Sequence, residues 1–72
     1  MRTIINTYVN HNRRVVVDEC GHTFFIALEV AGHTVRFDAK RDFDSAMNVY
    51  KDYCKEAPKL TIQGLTDMIN MG

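Results

Sequence analysis

The chain has 72 residues and nine Lys and Arg against nine Asp and Glu, so it lacks the basic excess that phosphate binding normally shows. Its length allows one domain, close to the lower limit for a core without staples. An enclosed ligand cleft of roughly 300 Å³ or more is hard to build when about 40% of the chain's surface stays exposed, so an enzyme is not expected.

Met1 is followed by polar and β-branched residues, with no apolar run of signal-peptide or membrane-spanning length. The expectation is a cytoplasmic protein. Cys20 and Cys54 could form a single bridge, but they fall in a turn and on a helix of an intracellular-looking chain, and free thiols are expected.

In chain order, "TIINTYV" reads as a strand that ends in the turn-forming "NHN". "RRVVVDE" is a second β-branched run, closed by Cys20 and Gly21. Phe24, Ile26, Leu28 and Val30 alternate with the period of a half-buried strand, and so do Val35, Phe37 and Ala39, with "AG" between them starting a short hairpin. The first part, residues 1–39, is therefore an antiparallel meander of four strands, or three if the first is short.

After Ala39 the period becomes helical. Ala46, Val49, Tyr50, Tyr53, Cys54 and Ala57 share one face of a helix over 44–57, which Asp44 or Ser45 is placed to cap and Pro58 ends. A second helix over 61–71 follows. Thr61 is its N-cap, Leu60 and Leu65 have staple spacing, and Ile62, Leu65, Met68 and Ile69 form a narrow stripe weakened by Gly64.

The fold class is α+β, a β-meander followed by two helices packed on one face, because neither layer can bury its apolar side alone. Alternation assigns Phe24, Ile26, Leu28, Val30, Val35 and Phe37 inward. It assigns Phe25, Ala27, Glu29, Ala31, Thr34, Arg36 and Asp38 outward, and that mixed face is the first surface suspected of binding.

Several chemical motifs have plainer readings. Cys20, His22 and His33, with His11, could suggest zinc, but zinc ligands pair at short spacings, and successive turns of a meander lie at opposite ends of the sheet. The Gly-His-Thr repeats at 21–23 and 32–34 therefore read as turns, and no metal or cofactor is expected. Cys54 falls on the core face of the first helix and Cys20 in a turn without a pocket, so neither is set up as a nucleophile. In "DFD" the acids of residues 42–44 complement a helix N-terminus.

Nucleic acid is the more serious rival. A three-stranded sheet followed by a helix resembles the arm-binding and AP2-like domains of phage integrases, and "RFDAKRDFDSAMNVY" is loosely similar to their strand-to-helix segment. Arg13, Arg14, Arg36, Lys40 and Arg41 could then meet phosphates. Asp18, Glu19, Glu29 and Asp38 on the same sheet oppose this, since each acid subtracts from counterion release.

"VDECGHTFFIALEV" followed by "GHTVRFDAKRDFDSAMNVYKDY" resembles the small phage-encoded anti-CRISPR proteins that inhibit the type I-F surveillance complex, with "RDFDS" as the sharp motif. The resemblance covers most of the chain. It implies a four-stranded antiparallel sheet with two antiparallel helices on one face, and a steric action without catalysis. The outward sheet face would dock on the backbone subunit of the guide-RNA complex and block target DNA. An exposed glutamate on the long central strand and tyrosines on neighbouring strands carry that contact in the family. Glu29 matches the glutamate and Tyr8 approximates one tyrosine, while Asp18 stands where the family has the other, a departure.

Read as physics, an aromatic anchor with a few charges suits a protein-binding patch. Phe25, Glu29, Arg36 and Tyr8 could form it, with Asp18 from the resemblance. Phe25 could equally be a plain exposed sheet residue, or one covered by the N-terminal strand or a second subunit. The leading expectation is an inhibitor of bacterial immunity from a phage or mobile element. The alternatives are a DNA-binding sheet and a self-associating domain. Phe37→Ala is expected to cost about 3–5 kcal/mol if that ring is core.

Overall fold

The computed structural model describes residues 1–59. Four strands, β1 (Arg2–Asn10), β2 (Arg13–Cys20), β3 (Thr23–Val30) and β4 (His33–Lys40), precede helix α1 (Phe43–Glu56) and a 3-10 turn (Ala57–Lys59). The strands lie in sequence order, β1-β2-β3-β4, and every neighbouring pair is antiparallel. The meander thus has four strands, with β1 fully part of it. The helix expected over 61–71 lies outside the described residues.

Each hairpin turns on two residues. Gly21 (φ 62°) opens the second turn, while Ala31 (φ 52°) and Gly32 (φ 82°) both take the left-handed conformation that a type I′ turn requires at its two central positions. The first and third turns lie at the same end of the sheet, where the Ala31 amide donates to the Asn12 carbonyl at 2.8 Å.

Helix α1 starts earlier than its apolar period predicts. Its cap is Asp42, not Asp44 or Ser45: Asp42 is extended, and its side chain accepts from the Ser45 amide at 2.8 Å. This makes room for Phe43 in the first turn, where its ring meets Phe24 edge-on at 5.9 Å. The helix ends at Glu56, one residue before the predicted limit, and passes into the 3-10 turn that contains Pro58, whose nitrogen has no hydrogen to donate.

The core lies between α1 and one face of the sheet. Val15 and Val17 of β2 pair with Leu28 and Ile26 of β3, and these four side chains are fully buried with Ala46 and Ala57. Burying each of the four stabilises the fold by roughly 1.5–3 kcal/mol. Val49, Tyr50, Tyr53 and Cys54 flank them from the predicted helix face, and Ile4, Ile5 and Val9 from β1. Thr7 and Tyr50 share a hydroxyl hydrogen bond of 2.8 Å that ties β1 to the helix.

One part of the predicted face assignment is overturned. Leu28 pairs with Arg36 but Glu29 pairs with Thr34, so Val35 is the extra residue of a β-bulge. Side chains alternate with a period of two, and one inserted residue reverses every face beyond it. Val35 packs on the core as predicted. Beyond it, Arg36, Asp38 and Lys40 share the helix side with Leu28, Ile26 and Phe24, whereas Phe37 and Ala39 share the open side with Ala27 and Phe25. Phe37, predicted inward, is 61% exposed.

Candidate functional site

The strand registers arrange the open face in three cross-strand rows. Thr3, Asp18, Phe25 and Ala39 form the first, Asn6, Val16, Ala27 and Phe37 the second, and Tyr8, Arg14, Glu29 and Thr34 the third. Helix α1 packs on the opposite face, and among the described residues no element covers these rows.

The third row is polar. Arg14 donates through Nη2 to Glu29 Oε1 at 2.7 Å, and both side chains are part-buried. That hydrogen bond is the main cause holding the Arg14 guanidinium above its ordinary pKa, with a smaller contribution from Tyr8. Glu29 therefore reaches the surface as half of an ion pair. Tyr8, Arg14 and Glu29 also line an open cleft of about 270 Å³ with His11, Asn12, Ala31 and Gly32, placed between the two linked turns.

The first two rows are more apolar. Phe25 and Phe37, diagonal neighbours on adjacent strands, stack with centroids 5.8 Å apart and planes 25° from parallel. Small residues, Ala27 and Ala39, flank them, and Val16 is only 7% exposed although it lies on this face. Asp18, directly opposite Phe25, accepts from the Thr3 hydroxyl at 2.6 Å.

Four of the five predicted binding residues, Tyr8, Asp18, Phe25 and Glu29, share this face. Arg36 does not. The bulge turns it to the helix side, where its Nε and Nη2 lie 3.0 and 2.9 Å from Glu56 Oε1. Sequence reasoning missed Phe37 for the same reason. A glycine at the bulge would have flagged it, but Val35 fits the strand pattern on both sides.

The other candidate groups stay apart. His22 lies in the β2–β3 turn and His33 pairs with Val30 at the opposite end of β3. Among the described residues no three His, Cys, Asp or Glu side chains gather where they could hold a metal. Cys20 is an exposed free thiol, and Cys54 is a part-buried one against the core. Asp42 is held below its ordinary pKa, chiefly by the hydrogen bond from the Ser45 amide. No helix among the described residues is long and apolar enough to cross a membrane.

Comparison of the chain with protein-family models, with curated proteins and with solved structures finds no match.

Proposed function

We propose that the protein is a non-catalytic binding domain that occludes a partner protein with its open sheet face. The register of β4 carries this reading. Of the five basic residues that could have met phosphates, Arg36 and Lys40 lie on the helix side, Arg13 shares that side with Val30, and Arg41 lies beyond the strand. Only Arg14 faces outward, already paired with Glu29 and accompanied by Asp18. A face with one basic group and two acids gains little from counterion release. Aromatic and apolar groups beside the paired Arg14 and Glu29 suit a protein surface better.

The partner we propose is the guide-RNA surveillance complex of a type I-F CRISPR system, with the protein acting as an anti-CRISPR inhibitor in the cytoplasm of a bacterial host. The resemblance centred on "RDFDS" supplies that identity. It is supported by the common face of Glu29 and Tyr8, and opposed at Asp18, which replaces a tyrosine. By this reading the sheet blocks target DNA from pairing with the guide.

The test is recovery of purified type I-F complex by the immobilised protein at physiological salt. Glu29→Arg alone would set two guanidinium groups side by side, so it is paired with the double variant Arg14→Glu/Glu29→Arg, which keeps an ion pair and reverses it. Wild type is expected to retain the complex, and both variants to lose it while melting cooperatively. A folded wild type that recovers nothing, or that instead binds duplex DNA with steep salt dependence, overturns the proposal.

A further inference from the structure

We infer that the stacked Phe25–Phe37 pair is the anchor of this surface, and that the partner meets it with an apolar projection that carries no negative charge. The inference rests on the protein-binding reading above and adds which residues dominate and what chemistry they select. Aromatic side chains that stand free and are ringed by quieter contacts are the usual energetic centres of interfaces. Phe37 is 61% exposed and stacks on Phe25, while its neighbours Ala27 and Ala39 are too short to shield either ring.

Charge complementarity selects the occupant. Arg14 is already paired with Glu29, while Asp18 accepts from the neutral Thr3 hydroxyl and keeps its negative charge. An anionic group docked on the rings would give up its water without gaining a free counter-charge. A nucleobase could stack on Phe25, but its phosphate would then pass Asp18, the residue directly opposite on β2. An aliphatic or aromatic side chain from a protein meets neither obstacle. Tyr8 on β1 and Phe37 on β4 are separated by three strand spacings, about 14 Å, so a partner reaching both contacts the full width of the sheet.

The experiment titrates wild type, Phe37→Ser, Phe37→Leu and Ala39→Arg against purified type I-F surveillance complex at two salt concentrations. Thermal melts check the fold, and Ala39→Arg obstructs the stack from an exposed position even if Phe37→Ser folds poorly. Expected is a loss of at least about 30-fold for Phe37→Ser, the size of a hot spot, with a similar loss for Ala39→Arg. Phe37→Leu should recover most of the affinity, and salt should matter little. If wild type binds but Phe37→Ser and Ala39→Arg stay within about threefold of it, the anchor is wrong and the protein-binding reading stands. If wild type does not bind, that reading fails and the anchor with it. Binding of an oligouridine that Phe37→Ser abolishes, or a dimer that Phe37→Ser dissociates, overturns the inference in favour of nucleic acid or a second copy.

Discussion

β3 and β4 are equally long and both alternate apolar with polar residues, yet only β3 obeys its alternation from end to end. β3 is an interior strand, held in register by a neighbour on each side, and a slip would expose Ile26 and Leu28. β4 is an edge strand with one neighbour, so it accommodates an extra residue at Val35. The bulge moves a ring to the open face and brings a guanidinium over the helix, where Arg36 meets Glu56. An interior strand thus fixes the core, and an edge strand is free to shape the surface.

The strongest way to break this contrast is to truncate one apolar side chain on each strand. Leu28→Ala removes a fully buried side chain under α1 and should cost about 2–5 kcal/mol in denaturant unfolding. Phe37→Ala, despite the larger side chain, should cost no more than about 1.5 kcal/mol, the worth of one aromatic pair. If Phe37→Ala proved the more damaging of the two, β4 would lack the bulge and the open face would have to be redrawn.

The same contrast explains what could be read in the sequence. Strands β2 to β4, the turns at Gly21 and Gly32, the core face of β3 and the apolar face of α1 all follow from local chemistry that repeats regularly, whereas the pattern of β1 left three or four strands open. Glu29 and Phe25 could be placed outward because β3 carries no insertion between them and the core residues that set the face, whereas Asp18 and Tyr8 entered through the family resemblance and share that face by their pairing with Phe25 and Arg14. Arg36 and Phe37 could not. Their faces depend on a pairing choice between β3 and β4, and Val35 is as suitable for a regular strand as for a bulge. The cap at Asp42 was missed for a related reason. The apolar period begins at Ala46, whereas the helix start is set by Phe43 finding Phe24 across space.

The other edge strand offers a smaller test. β1 has register shifts at Ile4 and Val9, so its position relative to α1 relies on few fixed points, one of them the Thr7–Tyr50 hydroxyl bond. Tyr50→Phe keeps the ring and deletes that bond, and should cost about 1 kcal/mol. Amide exchange should accelerate mainly in β1. Acceleration spread evenly over the sheet would mean that β1 is held by its ladder to β2 alone.

The smallest effect reads the bulge directly from the helix. Tyr53 of α1 ionises above its ordinary value of 10.0, first because it is partly buried and then because Asp38 and Glu56 repel the phenolate, while Arg36 pulls the other way. Asp38 and Arg36 act on Tyr53 only because the bulge turns them to the helix side. In an ultraviolet titration of the phenolates, Asp38→Asn should lower the Tyr53 midpoint, and Arg36→Gln should raise it. The linkage has a definite sign. A phenol whose folded-state pKa is raised favours the folded protein fully below the unfolded value near 10.0, and this contribution is lost as pH rises through the folded value. Alkaline unfolding of Asp38→Asn should therefore depend less on Tyr53 than that of the wild type. An unbulged β4 would point Asp38 away from the helix, and Asp38→Asn would then leave the Tyr53 midpoint where it was.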